Sequence, residues 1–242
     1  MTANQAAHTV DIFIYESNVG HAIEKAVVTD SDIRSDRIRV AIRDLEKRFS
    51  KDVVALRGIN LDVQEGEFVS LVGPSGCGKS TLLKLVAELD YPTSGNVARP
   101  GIADLPGSIG FVFQDAHLLP WRTVHRNVEL LLEIQNLSVN ERHRRAKEAL
   151  AHVGLEGFED AYPRQLSGGM KMRVSLARTL VLNPQLFLLD EPFGALDPVT
   201  RDALGERVRS LHRELNLTTI MVTHDMAEAL LLADRILVME AG

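Results

Sequence analysis

Three stretches of this sequence carry groups suited to phosphate, and they lie far apart along the chain. GPSGCGKST, Gly73–Thr81, fits the pattern G-x-x-x-x-G-K-[ST] from Gly73 to Ser80. Gly73, Pro74, Ser75, Gly76, Cys77 and Gly78 form a turn whose glycines let successive backbone N–H groups curl around a β-phosphate. Lys79 is placed to reach the β- and γ-phosphates, and the Ser80 hydroxyl to bind Mg2+. The second stretch, Leu188-Leu189-Asp190-Glu191-Pro192, is an apolar run that ends in an acidic pair. On its own it reads as a solvated acidic turn. Beside a phosphate loop, Asp190 is suited to hold magnesium through water, and Glu191 to orient or deprotonate an attacking water. The third stretch, RQLSGGMKMR at 164–173, puts Ser167 where a helix begins. A serine oxygen there accepts from the open amides of the first turn, while Gly168 and Gly169 leave those amides uncovered. The positive end of a helix is a site for an anion. The chain therefore carries a second anion site far from its first.

The elements that must present these groups are legible around them. IRVAIRDL, from Ile38, alternates like a strand, and VVALRGINLDVQEGEFVSLVG reads as two strands joined by the turn QEGE. STLLKLVAEL has helical spacing and follows the phosphate loop, so the loop lies between a strand and a helix as its pattern requires. SIGFVFQ is a short strand ending at Gln114, and TTIMVTH is another ending at His224. Either residue alone reads as ordinary, yet both leave the C-terminal ends of strands, where ligands collect on open parallel sheets. QLFLLDEP is continuous enough for a strand buried on both faces. TVHRNVELLLEIQ and NERHRRAKEALAHVG show 3.6-residue periodicity, and the region from about Leu118 to Leu180 is mostly helical. DALGERVRSLHREL, MAEALLLA and RILVME continue the alternation of helix and strand to the end. This order predicts an α/β fold with a parallel sheet and an inserted helical subdomain.

Composition sets limits on partners. The chain has 242 residues, enough for a substantial core, and a formal net charge of -6, which argues against a dedicated nucleic-acid binder. Its single cysteine, Cys77, precludes an intrachain disulfide, and we assign it packing rather than redox chemistry. No apolar run approaches the roughly 20 residues that span a bilayer, and the N-terminus lacks the pattern of a signal peptide. Residues 1–36 read as an extension of unknown role: DIFIYES as a short strand, SNVGHAIEKAVV as a weak helix and TDSDIRSDR as a linker.

The ordered set Gly73–Thr81, Gln114, Leu166–Gly169, Asp190–Glu191, GALD at 194–197 and His224 resembles the ATPase subunit of ATP-binding cassette transporters over about residues 38–242. The resemblance implies a P-loop NTPase fold with a RecA-like parallel core at 37–115 and 180–242, an antiparallel β portion, and a helical subdomain at 116–179. It implies ATP and Mg2+ as ligands and a head-to-tail homodimer, or a pair with a related subunit. In such a pair Ser167, Gly168 and Gly169 cover the γ-phosphate held by the partner's loop. Phe49 matches the aromatic residue that stacks on adenine, where tyrosine is more usual. Lys79, Ser80 and Thr81 match residues that handle phosphates and metal, and Gln114 the residue that contacts the metal and the attacking water. Asp190 matches the Mg2+ holder, Glu191 the catalytic carboxylate, Asp197 a loop crossing the dimer seam, and His224 a γ-phosphate contact. Met170 and Met172 depart from the common glutamine and are expected to pack.

DAHLLPWRTVHRNV at 115–128 is similar to importer ATPases of the nitrate, sulfonate, taurine and bicarbonate group. That likeness implies Trp121 and Leu118 against a membrane subunit, with Arg122 near the rim; the competing reading has Trp121 packing the helical subdomain. The implied setting is the cytoplasmic face of the membrane, attached through permease subunits and served indirectly by a solute-binding protein, with no nucleic acid. Alternatives are an ATPase of another transport system or a soluble cassette protein.

Overall fold

The computed structural model describes residues 12–16, 37–50 and 53–240, and the chain divides into two compact units: residues 1–102 with 218–242, and residues 103–217. The strands are β1 Ile12–Glu16, β2 Ile38–Arg48, β3 Val54–Gln64, β4 Phe68–Val72, β5 Ser94–Ala98, β6 Ile109–Val112, β7 Leu186–Asp190, β8 Thr218–Thr223 and β9 Arg235–Met239. The helices are α1 Lys79–Val86, α2 Val124–Ile134, α3 Val139–His152, α4 Gly168–Leu180, α5 Pro198–Glu214 and α6 Met226–Leu232.

In the first unit β4 lies parallel to both β8 and β9. Every residue of β4 and β8 is buried, which is why their sequences run apolar without alternation. An antiparallel sheet in the order β3-β2-β5 accompanies them. In β2 the alternation of the sequence puts Val40 and Ile42 into the core, and a break in register with β3 after Ile42 resets the phase so that Leu45 also points inward. β1 pairs antiparallel with β9, from Ile12 opposite Met239 to Glu16 opposite Arg235. The strand expected in DIFIYES therefore forms and extends the parallel strands at an edge, so at least these five residues are not a loose extension. The helix expected in SNVGHAIEKAVV lies outside the described residues.

In the second unit β6 and β7 run parallel, with Val112 opposite Leu189. Helix α2 buries Val124, Val128 and Leu132 at four-residue spacing, and α3 buries Ala146, Ala149 and Leu150, so each presents one apolar stripe. The expected helical subdomain, 116–179, lies within this unit. Ser138 caps α3 by accepting from Glu141 N–H, and Thr123 caps α2 by accepting from Arg126 N–H.

Candidate functional site

In the first unit the phosphate loop leaves the end of β4 and runs straight into α1. A side chain at Gly73 would place its Cβ 2.2 Å from the carbonyl oxygen of Met239, and one at Gly78 would lie 2.5 Å from that of Ala55. Gly78 also has φ +101°, a conformation that L side chains rarely adopt. These glycines are required because the loop backbone lies directly against neighbouring strands. Gly78 occupies the N-cap position of α1 and no side chain caps the helix there, so the first-turn amides stay available to an anion. Lys79 is buried, and its Nζ donates to the carbonyls of Gly73 at 2.7 Å and Pro74 at 2.9 Å, with Cys77 Sγ at 3.9 Å. The ammonium is thus folded over the loop. Cys77 is buried and packs under the loop as expected; Ser80 and Thr81 are half-buried on the first turn of α1.

Two further residues of this unit were singled out from the sequence. Phe49 follows β2 and is 61% exposed. Lys47 Nζ lies 5.2 Å from its ring centroid and is itself held by Asp90. The ring thus offers an aromatic face suited to stacking on a planar base. His224 is exposed and comes directly after β8, before α6. That turn is fixed by Asp225, whose Oδ1 accepts from Ala227 N–H at 2.8 Å, and by Thr223, whose hydroxyl donates to Glu228.

In the second unit, β7 delivers Asp190 to its buried C-terminal end, 8% exposed. The next residue, Glu191, has φ +45°. A non-glycine residue in the left-handed region is strained, and such strain concentrates at functional positions. The Gly194 N–H donates to the Glu191 carbonyl at 3.2 Å. A Cβ on Gly194 would lie 3.7 Å from Glu191 Oε2 and 3.8 Å from Gln114 Nε2, so the Gln114 and Glu191 side chains converge over this glycine. Two residues 77 positions apart in sequence are therefore neighbours.

The segment after Gln114 is tied to α4. Arg178 donates to the carbonyls of Ala116 at 2.8 Å and His117 at 2.9 Å, and its burial pushes the guanidinium below its usual pKa. Helix α4 begins as the sequence suggested, with Ser167 Oγ accepting from Met170 N–H at 3.2 Å. Ser167 and Gly168 are exposed, whereas Gly169 is buried and a Cβ there would lie 2.3 Å from Thr200 Cγ2. Met172 packs inside, as expected of methionine here, and Met170 is half-buried. Asp197 caps α5, accepting from Thr200 N–H at 3.0 Å, and hydrogen bonds from the Thr200 side chain and amide hold its carboxyl below the usual carboxylate range.

Residues 56–194 match the family model described as ABC transporter. The chain belongs to the ATP-binding cassette transporter family. Over 205 residues it is 48% identical to the aliphatic sulfonates import ATP-binding protein SsuB of Rhodopseudomonas palustris, covering 84% of this chain and 71% of that protein. It is 45% identical over 209 residues to the nitrate import ATP-binding protein NrtD of Synechocystis, covering 84% of this chain and 79% of that one. Among solved structures, the dimeric post-hydrolysis state of the ATP-binding cassette MJ0796 bound to ADP and Pi aligns with a TM-score of 0.72 at 38% identity, over 84% of this chain and 96% of that one. This cassette is an ATPase.

Three residues with structural roles around these sites were not picked out from the sequence. Arg178 and Thr200 act through the contacts above. The third, Asn127, is fully buried on the first turn of α2. Its Oδ1 accepts from Leu119 N–H at 2.8 Å, and its Nδ2 faces the carbonyls of Leu119, Arg122 and Thr123 at 3.0–3.1 Å. One amide thus shapes the whole 119–123 turn. The signal was present: a polar residue on the apolar stripe of an amphipathic helix. The turn holds Trp121 outward, 72% exposed, so Trp121 does not pack the helical subdomain. Leu118 is half-buried, and Arg122 donates to Glu133 at 2.8 Å.

Proposed function

We propose that this cassette ATPase drives uptake of a small anion of the nitrate, sulfonate, taurine or bicarbonate type, working as a head-to-tail pair on the cytoplasmic face of a membrane. The names of SsuB, an aliphatic sulfonates import protein, and NrtD, a nitrate import protein, support the import role and the solute class. No helix among the described residues is long and apolar enough to cross a membrane, so attachment runs through permease subunits, with a solute-binding protein acting indirectly. The observation that carries the coupling role is Trp121, a large aromatic side chain held out in solvent by a turn built around a buried amide. Exposed aromatics so placed are anchors for protein interfaces.

Within the site, the loop amides and Lys79 hold the phosphates, and Phe49 stacks on the base. Ser80 in the first unit, and Asp190 and Gln114 in the second, each offer an oxygen donor of the kind that a hard cation such as Mg2+ prefers. Magnesium, when bound, would supply neutralisation of charge on the transferred phosphoryl group. Glu191 accepts a proton from the attacking water, Gln114 orients that water from beside it, and His224 contacts the γ-phosphate. Ser167 spends one lone pair on Met170 N–H, which leaves its hydroxyl proton free to donate to a phosphate. With Gly168, Gly169 and Asp197 it serves the nucleotide held by a second copy, an arrangement that two-fold symmetry closes. The dimeric state in which MJ0796 was captured supports this arrangement.

The test separates closure from chemistry. Glu191→Gln should still close over Mg-ATP yet turn over about 10²–10⁴-fold more slowly, so a dimer accumulates on size-exclusion chromatography. Ser167→Arg should bind ATP as a monomer and fail to hydrolyse it, and the double variant should remain monomeric. A Ser167→Arg protein hydrolysing at the parent rate refutes the shared site.

A further inference from the structure

Beside Trp121 runs a groove of about 780 Å³, lined also by Arg126, Lys147 and Tyr162. It holds three side chains that the ATPase reaction does not use. His125 and Glu129 stand one turn apart on α2, and His143 reaches them from α3. His125 Nε2 lies 3.1 Å from Glu129 Oε1, and His143 Nδ1 lies 3.9 Å from the same oxygen. One donor atom from each of the three falls within 4.8 Å of the others. The imidazole rings are 4.2 Å apart between centroids. His125 is buried and the Glu129 side chain is only 12% exposed, so two of the three donors are already positioned by packing.

We propose that His125, Glu129 and His143 form a binding site for a borderline divalent transition metal of the zinc class, with a fourth coordination position open to the groove. Zinc bonds to imidazole and carboxylate are about 2.0–2.2 Å, and a tetrahedron built on them has ligand–ligand edges of about 3.3 Å. The two separations to Glu129 Oε1 bracket that edge, so small side-chain rotations suffice. Two imidazoles and one carboxylate are the donors of Zn2+, Co2+ or Ni2+ and not of Mg2+ or Ca2+, which take oxygen. This separates the site from any magnesium bound with ATP.

The Nδ1 of His125 is buried with no hydrogen-bond partner among the described residues, so neither tautomer satisfies it. With the proton on Nε2, the ring simply donates to Glu129 and leaves His143 at 3.9 Å without a role. With the proton on Nδ1, the lone pairs of Nε2, Glu129 Oε1 and His143 Nδ1 converge on one centre. Unprotonated donors at such distances repel unless a proton or a metal cation lies between them. A metal there ties α2 to α3 next to the turn that presents Trp121, and its open position accepts water or a donor from whatever enters the groove.

The experiment titrates Co2+ into the untagged, nucleotide-free full chain and follows the visible ligand-field bands, which report four-coordination. The expected result is one Co2+ per chain, displaced by Zn2+, with a raised thermal midpoint in zinc. Glu129→Gln and His143→Ala should each weaken binding by at least about tenfold, the lower end of what even an outer-shell partner contributes. His143 is largely exposed, so its variant keeps the fold, and its metal-free thermal midpoint should equal the parent's. The chain has 8 histidines, so the variants are decisive. Absence of stoichiometric binding in the parent overturns the proposal, as does parent-like binding in both variants.

Discussion

Gly169 allows the packing of α4 on α5 to be tested through the sign of a single substitution. In helix α4 it is the second residue after the Ser167 cap, where alanine is normally the better residue by about 0.5–1 kcal/mol. Here a Cβ would lie 2.3 Å from Thr200 Cγ2, well inside van der Waals contact. Thr200 cannot simply retreat, because its amide is fixed in the first turn of α5 by the Asp197 cap. Forcing a methyl group into such a contact costs about 1–3 kcal/mol. Gly169→Ala should therefore be net destabilising by about 0–2.5 kcal/mol, and at about 2–4 °C per kcal/mol for a chain of this size the melting midpoint falls by up to roughly 10 °C.

Thr200→Ala removes Cγ2 and leaves the new Cβ with only ordinary contacts, Thr200 Cβ at 3.7 Å and Leu196 Cδ2 at 4.0 Å. In that background Gly169→Ala should stabilise, by about 0.5–1 kcal/mol. Urea unfolding of the four proteins gives the coupling directly, and about 1–3 kcal/mol is expected. An equal effect of Gly169→Ala in both backgrounds refutes the clash. ATPase measurements on the same proteins separate packing from phosphate contact. If Thr200→Ala restores stability but not hydrolysis, the missing Cβ matters to something outside the chain, as a shared nucleotide site requires.

Three other outcomes follow from the structure. Asn127→Ala strips partners from the Leu119 amide and from the carbonyls of Leu119, Arg122 and Thr123, and should cost about 1–3 kcal/mol in urea unfolding; a loss below about 0.5 kcal/mol would show that the turn stands without it. Trp121→Ala, at an exposed position, should change stability by no more than about 0.5 kcal/mol and leave basal ATPase activity intact while weakening co-purification with permease subunits; unaltered assembly rules out the docking role. Glu141 on α3, hydrogen-bonded by Arg144 and Arg145, has its carboxyl lowered from 4.5 to about 2. A carboxylate depressed on folding adds stability that is present above pH 4.5 and disappears as pH falls toward about 2, so the stability gap between parent and Glu141→Gln should close over that window. A gap that stays constant across it removes the ion pair as the cause.

What the sequence revealed and what it hid divide along the range of the interactions. The phosphate loop, the acidic pair and the serine cap were legible because each is a local device, with its partners within a few residues. Strands β4, β7 and β8 were legible because burial on both faces leaves an unbroken apolar run. Strand β5, SGNVA, was not legible as a strand. It has no alternation and includes Gly95 at φ +79°, and it exists because β2 offers it a partner, with Ala98 opposite Ala41. Asn127 was hidden for a related reason: its position on α2 marked it as odd, but only the turn that folds back over it gives it acceptors and a donor to match. The approach of Gln114 to Glu191 depends on β6 and β7 pairing across most of the second unit.

The caps show where local reading stops. Ser167, Asp197 and Asp225 each satisfy a first-turn amide, and nothing in their local sequence distinguishes them. The structure separates them by what remains after capping. The Asp197 carboxylate is favoured in its charged form by the Thr200 side chain and amide, so it repels phosphate unless a cation or a donor intervenes. Ser167 is neutral and exposed, retains a hydroxyl proton, and opens a helix whose next two residues have no side chains to cover their amides. Of the three, only Ser167 combines a spare donor with an uncovered helix start of more than two turns, and for that reason α4 is where we propose the second anion site.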